Sequence, residues 1–433
     1  MIPVGDLEHL LRRTEFVARP ARVSALSSLT LEQAVDDILD VSLNPSDATD
    51  PATVTDSQGR PTIRPEVLVN WWLDRMVAVP RPIAERMTFF WHGRLTSAYE
   101  KVTSPFLLLA QNRTYRRLAL GDYRALLHAM AIDPAMLLYL DNARNVKAAP
   151  NQNFARELLE LFTLGVGNYT EADVAGVSRA WTGHTYNRTT ASYTFNPANH
   201  DKGQKTIFGV TRAWDGPDVL DHLLDDATLR TIASRHLARA MWESFAHPGA
   251  PANVVNQLAD GFVAGGFDIK ALVRSMLLRP EFYSQTAKTG LVRPPVDYVV
   301  AVLEASGFAA SVANPLYHMV NMGQVPFNPP NVSGWRPNSA WINATAWAAR
   351  MSLAGKVAVQ MQASGRFGGF GSLSAPAVAD RTSNIARVRL SARSRAVIEG
   401  IVTTERRFAL AGSAGEVGSS IAATFDSPEF NLS

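Results

Sequence analysis

The residues best able to do chemistry sit in three short stretches of a 433-residue chain without Cys. The first is HDKGQK, where His200 and Asp201 are adjacent and Gly203 and Lys205 follow, in a stretch without helical period. Imidazole, carboxylate and ammonium in one loop can orient a substrate anion or hold a metal. In that reading His200 is general base or ligand, Asp201 orients it, and Lys205 clamps an anion. A tight turn, with Asp201 capping local N–H groups and Gly203 at positive φ, accounts for the same letters. The second stretch is the charged helix NFARELLELF. Glu157 and Glu160 share one face there, and Arg156 reaches Glu160 at i,i+4. Beside Phe154, Leu158, Leu161 and Phe162, this triplet is either a partly buried ion-pair network or a carboxylate pair for acid–base or metal chemistry. The candidate ligands for a divalent metal are therefore Glu157, Glu160, His200 and Asp201.

The third stretch is NPPNVSGWRPNSAWIN, in which Pro329, Pro330 and Pro337 forbid regular helix. Trp335 and Trp341 each offer a flat apolar face with one donor, suited to ring stacking or to pinning a loop on the core. With Arg156 they are the substrate-binding candidates. His92, after Phe89, Phe90 and Trp91, is either catalytic or a helix-capping imidazole favoured by the dipole. His184, after Trp181, Thr182 and Gly183, carries less weight. If the Trp loop meets HDKGQK over the end of the Glu157 helix, one cleft holds aromatic, acidic and basic groups.

Composition removes several alternatives. The absence of Cys excludes disulfides, thiolate nucleophiles and iron–sulfur ligation. Forty-two Lys plus Arg against 39 Asp plus Glu leave a charge of only +3, without a basic run, so nucleic acid is not an expected partner. No nucleotide-binding Gly-Lys-Ser/Thr loop, no HExxH and no GxSxG occurs. No stretch reaches the ~20 apolar residues of a membrane span. The opening MIPVGDLEHLLRRTEF puts Asp6, Glu8 and His9 where a secretory leader needs an apolar core. As written the chain is expected in the cytoplasm, with export open if a leader has been removed.

Apolar spacing sets the frame that must position these groups. Helical periods run from Leu7, through 31–41 and 66–76, and from Pro82 to His92, where Gly93 is a natural stop. Further helices are expected over 118–130, 134–140 and 154–164, the last capped by Asn153 and closed by Gly165. Thr170 caps the next, and helices resume through 217–247, 252–264, 268–278, 294–306 and 344–362. Residues 184–215 read as a long irregular segment with room for a short hairpin. The expected class is all-α. A main helical domain spans 1–363, a Gly/Ser-rich connection 364–376, and a C-terminal helical piece 377–433 packs on the main domain. RPEF at 279–282 and SPEF at 427–430 form a weak echo.

The motifs DPAMLLYLDNARN (133–145), NQNFARELLELFTLGVGNYTEADV (151–174), FNPANHDKGQKTIFG (195–209), MGQVPFNPPNVSGWRPNSAWIN (322–343) and FFWHGRL (89–95) are long and ordered. From the first helix to the terminal SPEF the chain resembles the large bacterial domain-of-unknown-function family numbered eighteen hundred. The resemblance carries no settled activity. It implies a bacterial protein whose relatives are often exported and encoded beside a phosphatase- or sulfatase-like neighbour, the partner it suggests. The chain departs at Arg94, where the family pattern more often has a second His, and at Gln152, where it usually has Glu. Those departures count against a His-x-His metal pair and against a carboxylate at 152. The expected function is an enzyme with a His/Asp/Glu polar cleft, divalent-metal-dependent, acting on a polar or anionic substrate. The alternative is a non-catalytic helical scaffold working with the phosphatase-like neighbour.

Overall fold

Several helix starts in this chain are fixed by side chains that take up the first free N–H groups. Thr30 with Gln33, Thr170 with Asp173, and Asp215 with Asp218 each form a reciprocal capping box. Behind the caps, apolar residues recur at helical spacing and turn inward, as Ala34, Val35, Ile38 and Leu39 do in Leu31–Leu39. The computed structural model describes residues 2–45, 49–336, 338–408 and 415–432. These form twenty-four α-helical segments and three two-stranded antiparallel hairpins, a single all-α domain. Two of the hairpins, His184–Asn187 with Ser192–Phe195 and Lys205–Ile207 with Val210–Arg212, fill the stretch that lacks a helical period. Among the described residues no helix is long and apolar enough to cross a membrane.

Helix Ile83–Arg94 carries much of the polar core. Glu85 is fully buried, and its carboxylate accepts from Trp72 Nε1 (2.8 Å), Arg75 Nε (2.6 Å), and Arg116 Nε and Nη2 (2.6 and 2.8 Å). Burial alone would raise this carboxyl's pKa. The Arg116 and Arg75 guanidiniums outweigh that and hold it below the usual range. One residue on, Arg86 pairs with buried Asp297 at 2.6 Å and lies over the Phe16 ring. Arg350 bonds Asn431 Oδ1 and the Arg293 carbonyl, and Arg293 lies over Phe430. Each of these is a cation taken out of water, held by hydrogen bonds and ring faces.

Gly93 does not stop this helix, which continues to Arg94. Its carbonyl is met instead by another backbone, whose own missing side chain allows the approach. Gly334, at φ +76°, comes so close that a Cβ there would sit 2.1 Å from the Gly93 carbonyl oxygen. A Cβ on Gly93 itself would meet the Trp335 ring at 3.5 Å. The NFARE segment also differs from expectation. Gln152, not Asn153, stands at its N-cap, and Asn151 accepts from the Asn153 N–H. Its α-helix covers only Asn153–Glu157 and continues as a π-helix over Leu158–Thr163. There the Thr163 hydroxyl donates to the Leu158 carbonyl at 2.6 Å. Gly165 closes the segment at φ +86°. A π-helix absorbs an extra residue into the turn, and such insertions concentrate at functional sites.

Residues 364–376 are pinned rather than free, because Phe367 and Phe370 are buried and Arg381 lies over the Phe370 ring. Beyond them, Val378, Val402, Ile421 and Phe425 are fully buried. Asn431 ties the tail down through the Arg293 N–H (2.8 Å) and the Arg350 guanidinium. The RPEF and SPEF echoes both form a single short turn, Pro280–Tyr283 and Pro428–Asn431, each with its Phe fully buried. The backbone contact at Gly334 gives a stability test. Gly167 also has positive φ (+83°), but a Cβ there would meet nothing within 4 Å. Gly167→Ala should cost about 1–2 kcal/mol, the left-handed penalty alone. Gly334→Ala should cost clearly more in urea unfolding, because backbone must also move; equal losses would remove the close-approach argument.

Candidate functional site

The site begins at a turn that only glycine can make. Gly183 follows the Glu171–Ala180 helix at φ +82°, and a Cβ on it would lie 2.6 Å from the Asn196 carbonyl oxygen. Its own carbonyl accepts from Asn196 N, and its N–H donates to the Asn145 carbonyl. The chain therefore leaves the helix straight into strand His184–Asn187, whose first residue pairs with Phe195. The return strand and turn bring His200 back beneath residue 182. His200 Nδ1 donates to the Thr182 carbonyl at 2.9 Å, and the Thr182 hydroxyl accepts the Asp201 N–H at 2.8 Å. A carbonyl can only accept, so the Nδ1–H tautomer is set and the His200 Nε2 lone pair is left available.

His184 faces the same point. It is buried, its Nε2 is 2.9 Å from Asp215 Oδ1, and its Nδ1 is 2.9 Å from the Tyr193 hydroxyl. Asp215 comes from a third element, as N-cap of Gly216–Asp225, where Oδ1 also accepts from Gly216 N. Burial pushes its carboxyl up. The hydrogen bonds from His184 and Gly216 more than reverse this, holding it below the usual range. One ligand atom from each of His184, His200 and Asp215 lies within 4.8 Å of the other two. Among the described residues no other set of three or more His, Asp or Glu does so. The rings of Trp181 and Phe195 flank His184 at 4.7 and 4.9 Å, while the Asp215 side chain is 45 % exposed, so the cluster opens on that side.

The remaining sequence candidates are placed as follows. Asp201 does not orient His200. Its carboxylate pairs with Arg179 Nε (2.7 Å) and accepts from Gly203 N (2.8 Å), the turn geometry, although Gly203 itself is not at positive φ. Lys205 is buried, and its ammonium donates to the carbonyls of Asp201 and Trp214, which leaves it facing backbone rather than an anion. Arg156 does not reach Glu160. It forms a two-pronged bond to Glu171 (2.7 and 2.7 Å) on the next helix, at the surface. Glu160 instead accepts from the Tyr169 hydroxyl. Glu157 has no ion pair or hydrogen bond among the described residues, and burial together with Glu160 pushes its carboxyl up. Glu157, Glu160 and Asp201 all stand outside the His184–His200–Asp215 group.

His92 is buried among Trp72, Phe89, Tyr115, Phe327 and Trp335. It lies within its helix, not past the end, and its Nε2 accepts the Phe327 N–H at 2.9 Å, fastening the Pro/Trp stretch to the core. Trp335 stacks on Phe89 at 5.3 Å, and with Trp341 it lines a cavity of about 300 Å³ whose wall includes Arg94, Leu161 and His236. No wall residue of that cavity belongs to the His184 cluster. The single cleft expected from the sequence is thus two places. The helix 153–163 touches both, since Phe154 packs on Trp181 at 5.1 Å and Leu161 lines the cavity, roughly 10 Å further along its axis.

His184 carried little weight in the sequence, and Asp215 and Tyr193 carried none. The available signal was that His184, His200 and the DGP helix start at 215 all bound one non-helical stretch. An all-α domain that carries a His/His/Asp cluster on inserted hairpins is the class that fold and site define. Within it, the chain belongs to the family described as protein of unknown function (DUF1800), whose model matches residues 9–432. No curated protein and no solved structure matches the chain.

Burial holds the His92 imidazole down to about 3, against 6.5 for the free side chain. As pH falls below 6.5, the unfolded chain takes up a proton that the folded chain refuses, so this residue lowers stability down to about pH 3. At pH 5 the loss is about 2 kcal/mol. His92→Gln keeps an acceptor but cannot titrate. Its deficit relative to wild type in urea unfolding should therefore shrink by about 2 kcal/mol from pH 7.5 to pH 5. An unchanged deficit would mean that His92 titrates normally in the fold.

Proposed function

We propose that this protein binds a divalent metal ion at His184, His200 and Asp215 and is a metal-dependent enzyme acting on a polar or anionic substrate. The observation that carries the reading is the convergence of three ligand-type side chains from three separate elements within 4.8 Å. Support comes from the groups behind them: the Thr182 carbonyl fixes the His200 tautomer, and the Tyr193 hydroxyl engages the far nitrogen of His184. Metal-binding imidazoles regularly have such partners on their second nitrogen. Two imidazoles and one carboxylate suit zinc, manganese or ferrous iron better than calcium or magnesium, which prefer oxygen. Three protein ligands leave a position open, as catalytic rather than structural sites do. The exposed flank of Asp215 is where a substrate would enter. An ion held there supplies Lewis acidity to a substrate oxygen.

Without an ion, the His184–Asp215 hydrogen bond uses the same atoms, so binding must displace that proton. Protein purified without chelator or metal-affinity resin should carry close to one transition-metal equivalent by mass spectrometry. The metal should be lost in His200→Ala and in Asp215→Ala, and kept in Glu157→Gln, Asp201→Asn and Lys205→Met. Wild type that stays metal-free after incubation with zinc, manganese and ferrous iron would end this reading. Loss in Glu157→Gln with retention in His200→Ala would move the site elsewhere.

A further inference from the structure

The cavity behind Trp335 has more hydrogen-bond donors than the protein can satisfy. Its wall carries Arg12, Arg13, Arg86 and Arg94 against two carboxylates, Asp297 and Glu243, a formal surplus of two positive charges. Asp297 is already engaged by Arg86 at 2.6 Å. His236 adds no charge. Its Nε2 faces the Leu161 carbonyl at 3.2 Å, and burial together with Arg94 holds its imidazole down to about 4.

Arg94 is the informative group. Its Nε and Nη2 are buried and have no partner among the described residues, and the same holds for Arg86 Nε and Trp335 Nε1. Among the described residues, the buried side-chain acceptor on this wall that lacks a partner is Asp297 Oδ1. A desolvated guanidinium is unfavourable unless something pairs with it. Water could accept from the free N–H groups, yet it would leave the surplus charge in place. Around these donors the same wall carries apolar side chains, Phe89, Phe90, Leu161 and Trp335 among them, with Trp335 stacked on Phe89. A guanidinium edge matches two oxygens of one planar or tetrahedral oxyanion. Concave, mostly apolar volumes of this size with a few convergent polar groups are typical of small-molecule sites.

We propose that this cavity is a binding site for an organic oxyanion, whose carboxylate, sulfate or phosphate head is gripped by Arg94 and whose apolar body lies against Phe89, Phe90 and Trp335. The site shares no residue with the His184–His200–Asp215 cluster, so it stands whether or not that cluster holds a metal.

The 433-residue protein would be titrated with benzoate, phenyl sulfate and phenyl phosphate, and with uncharged benzyl alcohol as control, by calorimetry and thermal shift. At least one anion should bind and raise Tm, and the strongest of the three identifies the head group. Benzyl alcohol should do neither. Arg94→Met keeps the side-chain volume and removes the charge. It should lose about tenfold or more in anion affinity, while its unliganded Tm equals or exceeds that of wild type. Arg94→Lys keeps the charge without the fork. It should fold as wild type and bind the same anion more weakly, which keeps the test decisive if Arg94→Met fails to fold. The proposal is overturned if no anion binds wild type, if benzyl alcohol binds as tightly as the anions, or if the Arg94 variants keep full anion affinity.

Discussion

Arginine taken out of water is the constraint around which the structure is organised. Arg13, Arg293 and Arg350 are almost fully buried, and Arg86 is mostly so. The carboxylate among them is Asp297, itself buried and bonded to Arg86. Burial lowers the pKa of Arg293 to about 9 and also lowers those of Arg13 and Arg350, so these charges are held at a cost. The fold offsets that cost with carbonyls and ring faces: Arg13 on the Ala246 and Ala287 carbonyls, Arg350 over Tyr298, Arg293 over Phe430. Because these acceptors come from segments far apart in sequence, satisfying the arginines fixes how the N-terminal helix, the Ile83–Arg94 helix and the C-terminal tail meet. Glu85 does the same on the other flank with inverted sign, one buried carboxylate gathering two guanidiniums and an indole.

The two candidate sites differ in how they are built. The His184 cluster rests on hairpins, and its ligands are set by backbone carbonyls, a hydroxyl and a capped helix start. The arginine cavity rests on helices and on the Pro/Trp stretch laid across them. Helix 153–163 spans the interval, α-helical at the end that packs on Trp181 and π-helical at the end that lines the cavity. Its acidic residues serve neither site directly. Arg156 is spent on a surface pair with Glu171, and such pairs contribute little, about 0–1 kcal/mol.

What could be read in the sequence followed from local rules. The capping residue Thr170, the apolar period of the helices, and the loss of that period over 184–215 all depend on neighbours within a few positions. The family resemblance likewise rests on contiguous motifs. The cluster was not legible, because hairpin register decides that His184 faces His200, and Asp215 reads as nothing more than an N-cap. Gly93 was misread for a related reason: a glycine near a helix end reads as a stop, while the helix runs on to Arg94 and the glycine that the contact requires is Gly334. Arg156 was paired with Glu160 by helical spacing, yet the actual partner, Glu171, lies on the next helix. The cavity arginines at 12, 13, 86 and 94 were invisible as a group because they come from two helices brought together by packing.

The bond from Phe327 N–H to His92 spans 235 residues of sequence, and the Gly93–Gly334 contact lies beside it. A ribosome adding ~5–20 residues per second needs on the order of 10–50 s to make that interval. During that time the aromatic face of Phe89 and the cationic end of Arg94 exist without their cover. The nascent chain therefore exposes a sticky, positively charged surface well before the segment that encloses it has been made. Closure of the cavity is a late event of synthesis, and the buried imidazole of His92 is the latch on which it ends.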